Sequence, residues 1–534
     1  MAEGHQPASP AGPRASKGIG TLDGIDRREL LLGLGAAGMG AAGLSASAQA
    51  QGVPRRGGTL TIGFEENTKT LDPTYSIQFA ERRVLYLLYN TLVAIDTDFT
   101  LRPELARSWE VANEGRRYVF QLQEGVRFHD GTSFDAAAVK FNLDRRMDEA
   151  IASPQRSQLR PVIEAIEVLG PLTLAIDLKT PHPGLLSDLA DRAGCMVSPE
   201  AARKFGADLG RNPVGTGPFV LRSWTQGTSI VLDRNPNYWE AGRTYLDGIT
   251  FRSIPNSVIG LQRLIVGEVD YVDGLAPDAL RQLEGKDGIA TEQARIGRWY
   301  SLQYQVDKPP FNNAKLRQAM AHALDRDRIN QITMEGKATL SNGPTPPGLW
   351  WSSPDNVSYA YDPEKAKALL AEGGVPAGTA ITLTTPSDPL YRRINQLVAE
   401  QLGAVGLRAT LTPVALSEYY ARVVSRAINF VPTNWTQRAD PDGLFYILFH
   451  SRGFANTTGY SNAEVDALLE AGRRTLDREE RQRIYAAAKD LVMRDLPYIP
   501  LYFSAEFAGY SRKLGGFVWM PDNIPRFRHA WKAA

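Results

Sequence analysis

AITLTTPSDPLYRRINQLVAEQLGAVGLRATLTPVALSEYYARVVSRAINFVPTNW, residues 380–435, is the stretch whose periodicity decides the architecture. Residues 380–385 form a short β-type run, and Leu390, Ile394, Leu397, Val398 and Leu402 then recur at helical spacing on one face. Alternation returns over 407–413, a second helical segment covers about 417–426, and 429–435 is again extended in pattern. The order βαβαβ predicts an open, largely parallel sheet with crossover helices. Such sheets bind ligands just beyond the carboxyl ends of their strands. The loop leaving the third strand carries Asn434, Trp435, Arg438 and Asp440, with Pro441 and Gly443 fixing its path, so topology marks it as the leading candidate site.

Before this unit the chain changes character. Residues 57–64 alternate Leu60, Ile62 and Phe64 with Thr59, Thr61 and Gly63, the period of a half-buried strand. Hairpins are expected at 166–179, turning at Gly170-Pro171, and at 219–235, turning near Gln226-Gly227. Between them, Ala136, Val139, Leu143 and Met147 share a helical face. Asp362-Pro363 with Gly373 brackets a later helix, and Asp477 with Glu480 reads as a capping box. With 534 residues and roughly 150 per domain, two to four substructures and a cleft between them are expected.

Composition excludes several classes. The 60 Lys+Arg against 59 Asp+Glu leave no global field for nucleic acid or an anionic membrane. The single cysteine, Cys195, rules out an internal disulfide and any CxxC site, and reads as a buried small hydrophobe. The six histidines are scattered, and no GxSxG, HExxH or phosphate-binding glycine loop is present, which leaves a secreted hydrolase as the alternative of a different class. The expectation is a non-enzyme with no cofactor and no metal. At the front, Arg27-Arg28 precede a Gly/Ala-rich apolar stretch over 30–44, and Ala48-Gln49-Ala50 supplies small residues for cleavage. This pattern resembles a twin-arginine signal over residues 1–50, cleaved near Ala50, and is too short and glycine-rich for a spanning helix.

Several segments together resemble the oligopeptide/dipeptide/nickel-binding family of bacterial extracellular solute-binding proteins. They are 101–106 (LRPELA), 127–131 (RFHDG), 214–219 (VGTGPF), 234–239 (RNPNYW), 310–313 (PFNN), 459–466 (GYSNAEVD) and 497–502 (PYIPLY), in the family's order across 57–534. The resemblance implies a mixed α/β, two-lobed periplasmic binding protein fold. Lobe I would take 51–300, with a subdomain inserted near 95–210, and lobe II 301–503; residues 504–534 would return to lobe I. It also implies a monomer that captures a peptide or peptide-like solute and delivers it to an ABC permease driven by a separate ATPase. A nickel- or haem-complex binder of the same family is the variant reading.

Peptide binders of the family resemble this chain at Trp435 but carry an aspartate three residues later, which holds the peptide's α-amino group. Here that position is Arg438, whose planar fork suits a carboxylate or another anion, and Asp440 is the acid left to stand in. Alternatively, Arg438 pairs with Asp440 or Asp442, and Trp435 is core. The first-strand loop, with Glu65 and Asn67, is implied to face the cleft, and Asp273 is expected at the end of a strand over 268–272. Trp299, Tyr300 and Tyr502 fall on the implied crossovers between lobes, where hinge packing and ligand contact are both open.

Overall fold

The computed structural model describes residues 53–64, 68–294 and 297–533. Two lobes, each with its own sheet, account for the architecture. In the first, the strand Thr59–Phe64 lies at the centre of a seven-stranded sheet, parallel to Gly248–Ser253 on one side and to Tyr271–Leu275 on the other. Phe507–Ser511, from the far end of the chain, inserts antiparallel between Tyr271–Leu275 and Ile289–Gln293. Phe219–Thr225 and Ser229–Arg234 form the expected hairpin at the opposite edge, with Gly227 at positive φ in its turn. A separate four-stranded antiparallel sheet carries the other predicted hairpin, Ile163–Gly170 with Thr173–Leu178. The helix Ala136–Met147, capped by Asp135 accepting from the Ala138 N–H at 2.8 Å, buries Val139 and Leu143 as its spacing required. The Val214–Phe219 motif is a close backbone approach: a Cβ on Gly217 would lie 2.4 Å from the Leu87 carbonyl oxygen.

The second lobe departs from expectation. Ala380–Pro386 and Arg408–Val414 do pair in parallel, bridged by the helix Pro389–Ala404, but that sheet has only two strands among the described residues. The third strand, Phe430–Trp435, instead runs antiparallel to Trp299–Tyr304, in a sheet completed by Tyr498–Phe503 and Thr339–Leu340. Pro432 has no N–H to donate and so favours an edge, and this strand is the outermost of the four. Trp299–Tyr304 and Tyr498–Phe503 are buried at every position, and the strand pattern of 429–435 states which face is buried without naming the strand beside it. The helix Pro363–Glu372 starts at Asp362 and stops at Gly373 as read. Asp477 caps Arg478–Asp495 through the Glu480 N–H, but the Glu480 carboxylate turns to Arg483 at 2.7 Å, so only half of the box forms.

The chain passes between the seven-stranded sheet and the four-stranded sheet of Trp299–Tyr304 at Arg298 and again at Ser504. The Ser504 N–H donates to the Arg298 carbonyl at 2.9 Å, and the Arg298 N–H donates to Ser504 Oγ at 3.0 Å. Arg298 also pairs with Glu506 at 2.6 Å. Gly297 permits this contact, since a Cβ there would stand 1.7 Å from the Ser504 carbonyl oxygen. Among the described residues, no helix is long and apolar enough to cross a membrane.

Candidate functional site

The loop after Phe430–Trp435 leads directly into the helix Asp442–Phe449, and two buried ion pairs fix it from below. Asp440 receives both arms of Arg481, each at 2.7 Å, and Asp442 receives Arg473 at 2.8 and 3.0 Å. The Trp350 indole N–H donates to the Ala439 carbonyl at 3.2 Å. Both carboxylates are thus engaged by arginines that follow them in the chain, and the Asp440 pair holds the loop in place. Neither acid meets Arg438.

Arg438 is shaped by its own loop. Its Nη1 donates to the Thr436 carbonyl and hydroxyl and to the Gln437 carbonyl at 3.2 Å, while its stem lies so close to Gly443 that a Cβ there would come within 3.1 Å. This aims the guanidinium at Asp191, 3.9 Å from Nε and beyond hydrogen-bonding distance. Burial, and then the Arg82 charge, lowers the pKa of Arg438.

The opposing face is built from residues the sequence reading passed over. Arg82, on the helix Phe79–Leu88, reaches Asp191 at 3.0 Å and Asp522 at 3.2 Å. The Tyr86 hydroxyl donates to Asp191 Oδ1 at 2.9 Å, and the Arg192 N–H donates to the same oxygen at 2.8 Å. Arg526 pairs with Asp522 at 2.8 Å and lies over the Tyr86 ring. Burial alone would push the Asp191 carboxyl up; Arg82, Arg192 and Arg438 together hold it well below the usual carboxylate range. Three guanidiniums thus converge on one carboxylate. No local signal marks Asp191-Arg192 in the sequence, because the Asp191 partners Tyr86, Arg82 and Arg438 lie 105, 109 and 247 residues away.

The remaining predicted residues separate by environment. Trp435 is half-buried against the lobe II core, and its indole N–H is buried with no acceptor among the described residues. Gln437 is fully buried with neither amide atom partnered. Asn434 donates to the Tyr391 hydroxyl. Asp273 lies inside the strand Tyr271–Leu275 rather than at its end, paired with Arg83 at 2.7 Å. Trp299 is core, its indole N–H donating to Ser341 Oγ at 3.0 Å. Tyr300 packs against Tyr391 and Tyr502, and the Tyr502 hydroxyl is 3.2 Å from Thr333 Oγ1. Glu65 and Asn67 lie outside the described residues. Burial pushes the Cys195 thiol up to about 12, so it is an inert core residue. Among the described residues, no group of three or more His, Cys, Asp or Glu side chains is placed to hold a metal.

Comparison with known proteins places this geometry. The glutathione-binding protein GsiB of Escherichia coli (strain K12) is 31% identical over 482 residues, covering 88% of this chain and 94% of GsiB. The periplasmic binding protein DppA of Helicobacter pylori, solved with the peptide STSA, superimposes with a TM-score of 0.83 at 26% identity, covering 90% of this chain and 99% of DppA. AgaA from A. tumefaciens R10, solved with agropinic acid, gives 0.80 at 25% identity, covering 88% and 98%. Residues 100–456 match the model for the middle region of the bacterial extracellular solute-binding proteins, family 5, so this two-lobed chain belongs to that family.

Proposed function

We propose that the protein captures a small peptide-like solute bearing a carboxylate, with Arg438 as the grip, and delivers it to the permease of an ABC importer. The observation that carries this reading is the position of Arg438. It stands partly desolvated at the lobe boundary, with Nε and Nη2 unused by any acceptor among the described residues, where family peptide binders place an acid. A guanidinium so placed matches a carboxylate with paired donors. The relatives support the class: GsiB is named for glutathione and AgaA was solved with agropinic acid, both carboxylate-bearing compounds. Ligand enters the open cleft, the lobes close about the Arg298–Ser504 crossover, and the closed form docks on the membrane complex. A micromolar affinity, about −8 kcal/mol, suffices for capture and still permits release.

This role requires export, and residues 27–28 supply the address: Arg27→Lys with Arg28→Lys should leave the precursor in the cytoplasm. Normal periplasmic yield of that variant would exclude the twin-arginine route. The binding role itself is tested by native mass spectrometry of what co-purifies, followed by scattering with that compound added. A smaller radius of gyration and a melting temperature that rises with ligand concentration are expected; superimposable curves with bound ligand would contradict the clamp.

A further inference from the structure

We infer that the ligand's carboxylate is one half of an α-amino-acid head group, its carboxylate held by Arg438 and its ammonium by Asp191. The inference rests on the anion-gripping reading of Arg438 and extends it to the opposite wall. Asp191 Oδ1 is fully occupied by Arg82, the Tyr86 hydroxyl and the Arg192 N–H. Oδ2 receives no hydrogen bond from any described residue, and Arg438 Nε stands 3.9 Å from it. Each wall of the gap therefore presents one unused face, acceptor on one side and donor on the other.

Neither single charge fits both faces. A lone carboxylate against Arg438 would also abut Asp191 Oδ2, a like charge in a poorly solvated gap. A lone ammonium at Asp191 would face Arg438, with Arg82 and Arg192 behind the carboxylate. An ammonium and a carboxylate side by side on one carbon satisfy both walls at once. An ordinary α-linked peptide never presents that pair, because its amine and its carboxylate lie at opposite ends. A side-chain-linked peptide, such as a γ-glutamyl compound, does. On the same loop, the Trp435 indole N–H and both Gln437 amide atoms are buried without hydrogen-bond partners among the described residues.

Calorimetry on the purified protein with three matched probes tests this: glutathione, the same tripeptide lacking its amino group, and its α-linked isomer. Glutathione should bind at least tenfold more tightly than either of the others. Asp191→Asn should erase its advantage over the des-amino probe, whereas Arg438→Ala should weaken both. Because Asp191 also holds Arg82 and Tyr86, that variant's melting temperature is measured alongside, and the comparison of probes on the unaltered protein decides even if it unfolds. A des-amino probe or α-linked isomer that binds as well as glutathione overturns the head-group assignment, as does failure of glutathione to bind. In the des-amino case, a loss in Arg438→Ala leaves the anion grip standing, while no effect of that variant removes it too.

Discussion

Within five residues of one loop, two arrangements of opposite charge have different geometries. Asp440 and Asp442 are locked by Arg481 and Arg473 in two-armed pairs of 3.0 Å or less, both sides within lobe II. Arg438 faces Asp191 across the lobe boundary at 3.9 Å, with part of each group unused. A closed, buried pair holds a loop; an open pair across a movable gap is available to a third partner. The difference lies in where the partners come from. Arg473 and Arg481 stand on helices packed against the loop, whereas Asp191 stands on the opposing wall, which the proposed clamp mechanism would move relative to the loop.

The largest effect should come from breaking the closed side. Asp440→Ala leaves Arg481 buried and unpaired, and should cost about 3–5 kcal/mol of folding stability in urea or thermal unfolding. Ligand affinity, measured where the variant is still folded, should change little. The reverse pattern, intact stability with lost binding, would exchange the roles assigned to the two pairs.

On the open side, Arg438→Ala should weaken a carboxylate ligand by about 2–4 kcal/mol while shifting stability by less than about 1 kcal/mol. Arg438→Lys should recover only part of this, because an ammonium lacks the paired donors. Equal losses for charged and neutral ligands in calorimetry would argue against the grip. Trp435→Ala is the control for apolar contact beside it, expected to cost about 1–2 kcal/mol whatever the ligand's charge.

The smallest effect separates both charged regions from acid sensitivity. The depressed pKa values of Asp191 and Asp442 keep them ionised, so affinity for a ligand that does not itself titrate should be flat between about pH 5 and 8. Stability should not be flat. Burial brings the His129 imidazole down to about 4, with Nδ1 accepting from the Gly215 N–H at 3.2 Å and Nε2 facing the Gly217 carbonyl at 3.1 Å. Below about pH 6.5 the unfolded chain takes up a proton that the folded chain refuses, so this contribution is intact above that pH and is lost as pH falls toward 4. A loss of about 3 kcal/mol, flattened in His129→Gln, is expected from melting temperatures across that range. An affinity that falls in parallel would place a titrating group in the cleft.

Periodicity within a few residues marked the hairpins, the helix Ala136–Met147 and the parallel pair Ala380–Pro386 with Arg408–Val414, because each depends on near neighbours. Trp435 and Arg438 were likewise legible as a loop at a strand's end. The partner of Phe430–Trp435 was not, since a strand pattern states which face is buried but not which strand lies alongside. Asp273 shows the same limit: its strand was found, its position within the strand was not.

By itself, then, the sequence determined the local elements, the absence of metal and nucleotide motifs and the presence of an arginine in the loop that follows the strand ending at Trp435. Only the tertiary structure decided what that arginine faces. Asp191 is 247 residues away from Arg438, and Arg82, Tyr86 and Asp522 come from still other segments. Charge acts through distance and burial, and neither is fixed along the chain until the two lobes are folded against one another.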